Sequence, residues 1–130
     1  MIVKNEGKII ERLLSSVVGI IDTYCICDTG STDNTIELIN NFFNERKIQG
    51  IVVEEPFKNF EYNRNFALKQ CEGMSDYILF LDADMIFEVR DFDKNILNSY
   101  DSFHILQGND SFFFNNMRIV RNNGLFKYVG

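Results

Sequence analysis

Two aspartates one residue apart, Asp82 and Asp84, follow an uninterrupted apolar run at residues 77–81. A run of this kind is typical of a strand that is buried on both faces. Two carboxylates at the end of such a strand would repel each other unless a cation compensated for their charge. Hard oxygen ligands select Mg²⁺ or Mn²⁺, ions that keep several waters and bridge to substrate phosphates. The pair therefore favours a metal site of the DxD type, with a solvated acidic turn as the alternative.

Two further polar clusters, at residues 4–6 and 28–31, each follow a short apolar run. In an open α/β sheet, ligands bind beyond the carboxyl ends of the strands, so three such clusters predict one shared binding site. Each cluster alone has a simpler explanation. Asp28 could cap a turn, and Glu6 could begin a helix, where its charge favours the helix dipole.

The elements that would position these clusters alternate between strand and helix. Short apolar runs predict four strands, at residues 1–3, 23–27, 48–53 and 77–81. Apolar residues at helical spacing predict three helices, at residues 6–18, around residues 36–43, and at residues 60–71. They are followed by a short helix and two antiparallel strands, at residues 91–98, 104–106 and 112–120. The alternation predicts a single α/β domain over residues 1–130, with a mainly parallel central sheet and a late antiparallel portion.

The composition excludes several classes of protein. The chain has 130 residues, 45% of them apolar, and one proline, which argues against a disordered or low-complexity chain. Its net charge of −6 argues against a nucleic-acid backbone binder, because that affinity comes from clustered cations. The spacing of the three cysteines and the one histidine, Cys25, Cys27, Cys71 and His104, does not match a zinc site. The cysteines are interpreted as small buried side chains in a reducing compartment. With no apolar run long enough to span a bilayer and no signal-peptide pattern, we expect no transmembrane segment and a cytoplasmic location.

The sequence resembles the family 2 glycosyltransferases in four segments that keep the family's order, at residues 1–6, 28–35, 63–67 and 81–84. Residues 118–122 and 128–130 are similar to the later part of one branch of that family. The resemblance implies a GT-A fold, a Rossmann-like three-layer sandwich. It also implies inverting transfer of a sugar from a nucleotide-diphosphate donor, most naturally a UDP-sugar, with Mn²⁺ or Mg²⁺ as cofactor. The acceptor hydroxyl would belong to a carbohydrate, a lipid-linked molecule or a protein.

The resemblance also assigns roles to particular residues. Its nucleotide-sugar-binding set is Val3, Asn5, Glu6, Asp28, Arg64 and Asp82. The first three would lie along the nucleoside, and Asp28 would accept a hydrogen bond from the base. Arg64 would lie near the base or the diphosphate, where its donor fork suits anionic partners. Asp82 would reach the ribose or the metal, and Asp84 would ligate the metal that holds the diphosphate.

Two assignments are left open. For Arg64, the alternative is a salt bridge on the helix surface with Glu61 or Glu54. For the base that deprotonates the acceptor, no residue matches a family motif, and Asp110 is the candidate because it is an acid in a suggestive later loop. The related branch continues beyond Gly130 into an acceptor-binding half, so we expect a domain truncated on the acceptor side. A non-catalytic nucleotide-sugar-binding module or an inactive fragment is therefore the alternative function.

Two other enzyme classes fit the pattern less well. An aspartate-nucleophile phosphatase also places Asp-x-Asp after an apolar strand, but it needs Thr or Ser where this chain has Ile86. A nucleotidyltransferase needs a Gly-rich phosphate loop, which residues 4–7 do not supply.

The richness in Asn, Ile, Lys and Phe suggests a bacterial or viral source. The aromatic run at residues 112–114 could be an edge strand or a dimer contact, so a homo-oligomer is also considered.

Overall fold

A computed structural model describes residues 1–88, 94–108 and 113–129. Among these residues, the strands are β1 (Ile2–Val3), β2 (Tyr24–Asp28), β3 (Gly50–Glu54), β4 (Tyr77–Leu79), β5 (Ser102–Gly108) and β6 (Phe113–Arg121). The helices are α1 (Ile10–Val17), α2 (Thr35–Glu45), α3 (Phe60–Gln70) and a 3₁₀ helix at Lys94–Ser99. Strand and helix alternate up to β4, which confirms the predicted α/β class. Within the described ranges, no helix is both long and apolar enough to cross a membrane.

The first sheet is parallel and has the order β1-β2-β3. Val3 at the end of β1 pairs with Asp28 at the end of β2, and Asp28 pairs in turn with Glu54 at the end of β3. The three strands therefore end at one edge of the sheet. The polar segments that follow β1 and β2 leave the sheet at this edge, as the sequence predicts.

The helices α1 and α2 pack against this sheet through the apolar residues that the spacing identified. Their fully buried residues are Ile10, Leu13, Leu14 and Val17 in α1, and Thr35, Ile39, Phe42 and Phe43 in α2. Val3 and Ile26 of the sheet belong to the same core cluster as Ile10, Leu14 and Phe43. Burying one such apolar side chain contributes about 1.5–3 kcal/mol, so this core fixes the position of the sheet edge.

Helix α1 begins at Ile10, later than the predicted start at residue 6. The N–H groups of Ile9 and Ile10 donate to the Glu6 carbonyl oxygen at 3.0 and 2.9 Å, so a turn precedes the helix. The N–H groups of Glu6 and Gly7 donate instead to side chains of the loop after β2. Helical periodicity could not predict that α1 begins at Ile10, because the side chains that accept from the Glu6 and Gly7 N–H groups are distant in the chain.

The second sheet is antiparallel, with the order β4-β6-β5, which confirms the predicted late antiparallel portion. The strand predicted at residues 77–81 ends at Leu79 and pairs with β6 of this sheet rather than with the parallel sheet. Its three residues are half-buried, because an antiparallel sheet can leave one face toward solvent. The prediction that this strand is buried on both faces is therefore wrong. Residues 91–93, at the start of the predicted short helix, lie outside the described residues.

Candidate functional site

Asp28 is the last residue of β2, and only 1% of it is exposed. Its Oδ1 accepts hydrogen bonds from the backbone N–H groups of Gly30 at 2.9 Å and Ser31 at 2.8 Å. Gly30 has a φ of 124°, a conformation that favours glycine. The other carboxylate oxygen, Oδ2, is buried and has no hydrogen-bond partner in the part of the chain that the structure describes. Asp28 thus caps a turn with one oxygen and leaves the other as a preorganised acceptor, since an unpartnered buried acceptor is costly.

The segment after β1 fastens the loop after β2. Asn5 has a φ of 52°, and its Oδ1 accepts a hydrogen bond from the Thr32 N–H at 2.7 Å. The Asn5 N–H donates to Ser31 Oγ at 2.9 Å, and the Glu6 N–H donates to Thr35 Oγ1 at 2.9 Å. These bonds join the two polar clusters that the sequence placed at one edge of the sheet.

Asp33 adds a second set of bonds between the same two segments. Its Oδ2 accepts from the Gly7 N–H at 3.1 Å, and its Oδ1 accepts from the Thr35 N–H at 3.0 Å and from the Thr35 hydroxyl. The hydroxyl hydrogen bond holds the pKa of the Asp33 carboxyl below its ordinary value. A Cβ on Gly7 would lie 2.5 Å from Asn34 Oδ1, so a larger residue here would force the Asn34 side chain to shift. The loop after β2 is therefore held rigidly against the segment after β1.

Besides the predicted nucleoside contacts, three residues of this segment stabilise the fold: Val3, Asn5 and Glu6. The Val3 side chain is buried in the core, and its carbonyl oxygen accepts from the Thr29 N–H at 2.9 Å and the Thr29 hydroxyl at 3.2 Å. Asn5 uses its side-chain oxygen to hold the loop. Contact of these three residues with a nucleoside stays a prediction.

Two asparagines position helix α3. Asn59 caps its first turn, since its Oδ1 accepts from a backbone N–H at 2.7 Å. Asn63 is fully buried; its Oδ1 accepts from the Lys58 N–H at 2.8 Å and its Nδ2 donates to the Pro56 carbonyl oxygen at 3.1 Å. These bonds fix the connection between β3 and α3, and therefore the position from which the Arg64 side chain projects.

Asp82 lies between two arginines from different elements. Its Oδ1 is 4.0 Å from Arg64 Nη2, and its Oδ2 is 3.9 Å from Arg118 Nη2. Arg64 belongs to α3 and Arg118 to β6, and only 15% of the Arg118 side chain is exposed. Arg64 thus pairs with the predicted site residue Asp82, and not with Glu61 or Glu54.

The two arginines change the electrostatic argument for a metal at Asp82 and Asp84. Because they offset the charge of Asp82, repulsion between the two carboxylates does not by itself require an ion. Asp84 is exposed, and its carbonyl oxygen accepts a hydrogen bond from Arg12 at 3.2 Å. In the described ranges, no three His, Cys, Asp or Glu side chains are grouped to hold an ion. The donor set still fits Mg²⁺ or Mn²⁺, which bind through one or two carboxylates and complete their shell with water and phosphate oxygens.

A cavity of about 300 Å³ opens beside Asp82. Cationic and aromatic side chains line it, among them Arg64, Phe80, Arg118, Lys127 and Tyr128. Asn65 of α3 holds one wall, because its Nδ2 donates to the Tyr128 carbonyl oxygen at 2.9 Å and its Oδ1 accepts from the Tyr128 N–H at 2.7 Å. Burial raises the pKa of the Tyr128 phenol, which therefore stays a hydrogen-bond donor at neutral pH. The cavity is lined by three cationic side chains, Arg64, Arg118 and Lys127, and by one carboxylate, Asp82. It is therefore positively charged, although the net charge of the whole chain is −6.

The turn that carries the two aspartates adjoins the end of β1. Ala83, between the two aspartates, is buried in the same core cluster as Val3. A small second cavity is lined by Ile2 of β1 together with Arg64 and Asp82. The predicted site residues therefore form two groups on neighbouring elements, one around the loop after β2 and one around Asp82.

The sequence-based reasoning missed Arg118 as a site residue and the contact between Asn65 and Tyr128. For Arg118 a signal exists in the sequence, because alternation along a strand places residues 118 and 120 on one face, and both line the cavity. The contact between Asn65 and Tyr128 joins distant parts of the chain and leaves no local pattern. Asp110, the candidate base, lies outside the described residues.

Solved structures of TarS from Staphylococcus aureus resemble this one. A TarS fragment of residues 1–349 matches with a TM-score of 0.57 and 26% identity, covering 75% of this chain and 28% of that one. The same fragment in complex with UDP matches with a TM-score of 0.60 and 23% identity, covering 78% of this chain and 32% of that one. The predicted GT-A fold is confirmed.

Sequence comparison gives the family. An uncharacterized glycosyltransferase from Rickettsia felis is 31% identical over 84 residues, which are 65% of this chain and 27% of that protein. The prophage-derived glycosyltransferase SunS from Bacillus subtilis is 34% identical over 88 residues, which are 67% of this chain and 19% of that protein. This chain thus spans about a quarter or less of the length of these relatives. Residues 1–124 match the model of glycosyl transferase family 2, and the chain belongs to that family.

Proposed function

We propose that this chain is the nucleotide-sugar-binding part of a metal-dependent, inverting glycosyltransferase that uses a UDP-sugar. The observation that carries the proposal is Oδ2 of Asp28 at the carboxyl edge of the parallel sheet, which is buried and has no hydrogen-bond partner among the described residues. That edge is where open α/β sheets bind their ligands. The complex of TarS with UDP supports the choice of nucleotide. Transfer to an acceptor is proposed for the whole protein, of which this chain would supply the donor side.

The nucleoside end of the donor would bind at the loop after β2. The ring N–H of uracil is a hydrogen-bond donor, and Oδ2 of Asp28 is the acceptor that it would meet. A site built to satisfy a buried acceptor discriminates against bases without a donor there, because the wrong base leaves the acceptor unpaired. The backbone of residues 5–7, held against the loop by hydrogen bonds, would frame the base and ribose.

The diphosphate end would bind beside Asp82. The guanidinium groups of Arg64 and Arg118 lie 4.0 and 3.9 Å from this carboxylate and would offer hydrogen-bond donors to an incoming diphosphate. Asp82 would then contact the ribose or an ion held mainly by Asp84. When bound, Mg²⁺ or Mn²⁺ would neutralise the charge that builds on the departing nucleotide diphosphate.

A thermal-melt panel tests this proposal on the chain as it stands. We expect UDP and UDP-sugars, but not CDP, whose ring N3 is an acceptor, to raise the melting temperature in Mn²⁺, and to raise it much less in EDTA. A matched control is Asp22→Ala, which removes an 87% exposed carboxylate that pairs with Lys94 on the surface. This control should respond to UDP as the wild type does. Equal stabilisation by UDP and CDP, or none by UDP in Mn²⁺, would contradict the proposed donor.

A further inference from the structure

Two cysteines that are distant in sequence meet between β2 and α3. Cys25 lies in β2, and Cys71 is the residue that follows α3. Both sulfurs approach the carbonyl oxygen of Ala67, Cys25 Sγ at 3.8 Å and Cys71 Sγ at 3.4 Å. Both residues are half-buried, whereas Cys27 is fully buried. The three thiols of the chain therefore divide into an adjacent pair and a separate one.

The two thiols of the pair also interact with each other. The hydrogen bond from Cys25 lowers the pKa of Cys71 to about 7 and raises that of Cys25. Burial raises the pKa of Cys27, which has no such partner. The lowered pKa favours the thiolate of Cys71, and the thiolate is the nucleophilic form of cysteine.

A cavity of about 320 Å³ gives small molecules a route to the pair. Cys25 and Cys71 both line it, together with apolar residues such as Leu14, Ile78 and Ile119. This cavity lies at the start of β2 and β4, away from the carboxyl edge where the nucleotide is proposed to bind. The pair is thus accessible to a small oxidant from the side opposite the proposed donor site. Cys71 also borders the small cavity that Arg64 and Asp82 line.

We propose that Cys25 and Cys71 form a reversible disulfide when the protein meets a peroxide. The Cys71 thiolate attacks one peroxide oxygen, which gives a sulfenic acid and releases hydroxide. The Cys25 sulfur then attacks the sulfenic sulfur, and the second oxygen leaves as water. Two thiols and one hydrogen peroxide thus yield one disulfide and two waters, with two electrons passing from sulfur to oxygen.

The disulfide would tie the end of α3 to the middle of β2. A cross-link that closes a long loop restricts the unfolded chain more than the folded one. We therefore expect oxidation to raise the melting temperature by roughly 5–10 °C. This inference concerns the stability of the fold and does not depend on the proposed function.

The test is peroxide titration of the reduced chain, read by intact mass and peptide mapping. We expect a loss of two hydrogens, a linked peptide pair containing Cys25 and Cys71, full reversal by dithiothreitol, and the higher melting temperature. Cys27→Ser is the matched control and should form the same disulfide. Cys25→Ser should block the cross-link and leave Cys71 to oxidise to sulfinic acid.

Several outcomes would overturn the proposal. They are a linkage through Cys27, a disulfide between two chains, and oxidation of wild-type Cys71 to sulfinic acid without a cross-link. A Cys25→Ser variant that lost two hydrogens as the wild type does would also contradict it. Should one serine variant fail to fold, peptide mapping of the wild type decides by itself which sulfurs are linked.

Discussion

Replacing Asp28 by asparagine changes the proposed base-recognition group by one atom. In the wild type, Oδ1 accepts two backbone hydrogen bonds, at 2.9 and 2.8 Å, and Oδ2 is buried with no partner in the described part of the chain. In Asp28→Asn, the amide oxygen must take the Oδ1 position, because only an acceptor satisfies the two N–H groups. The amide NH₂ then occupies the Oδ2 position and presents a donor to the donor of the base.

The size of the effect follows from the burial of this position. Only 1% of Asp28 is exposed, so water cannot replace the lost hydrogen bond. Losing a hydrogen bond to a charged group and stranding its partner costs about 1.5–3 kcal/mol. This corresponds to a weakening of UDP binding by about 10- to 150-fold. The turn keeps both of its hydrogen bonds, so the melting temperature without ligand should change little.

Fluorescence competition between UDP and a labelled nucleotide, in constant Mn²⁺, measures this change in Kd. The matched control is Asp22→Asn, which makes the same chemical change at an 87% exposed carboxylate away from this loop and should alter the Kd less than about threefold. If Asp28→Asn bound UDP as tightly as the wild type, Asp28 would not recognise the base. An equal loss in both variants would mean that the weaker binding does not come from recognition of the base by Asp28.

Three further outcomes are expected. Asp84→Ala should abolish the Mn²⁺-dependent part of UDP stabilisation in melting curves, whereas Asp82→Ala should leave a measurable remnant; the reverse order would exchange their roles. Asn63→Ala should lower the free energy of unfolding in urea by about 3 kcal/mol, because it strands buried backbone groups between β3 and α3; a loss below 1 kcal/mol would mean that the connection readjusts. Gly7→Ala should cost about 1–3 kcal/mol in the same assay, since its Cβ would lie 2.5 Å from Asn34 Oδ1; unchanged stability would show that this side chain moves aside freely.

Local patterns predicted much of the fold. The spacing of apolar residues in α1 and α2 identified the buried faces of both helices, because helical periodicity depends only on near neighbours. The helix predicted at residues 60–71 is present as α3 for the same reason. An apolar run such as residues 77–81 carries no such information on strand direction. Its antiparallel pairing with β6 could not be deduced, since that choice depends on a partner distant in the chain.

The candidate site also combines a local feature that the sequence predicts with contacts between distant residues that it does not predict. The cap that Asp28 forms on its own turn is local, and the sequence indicated it. The pairing of Asp82 with Arg64 and Arg118 joins three elements, and no spacing rule connects them. The sequence argument therefore assigned the compensation of the aspartate charge to a metal alone, whereas two guanidinium groups supply part of it.

Calorimetric titration of the wild-type chain with UDP, once in Mn²⁺ and once in EDTA, tests the proposed nucleotide site most directly. We expect a single site in Mn²⁺ and a loss of most of its affinity in EDTA, because the net charge of −6 and the two aspartates oppose a diphosphate without a bridging cation. Equal UDP affinity in Mn²⁺ and in EDTA would contradict metal dependence. Absence of binding in both would contradict the nucleotide site itself.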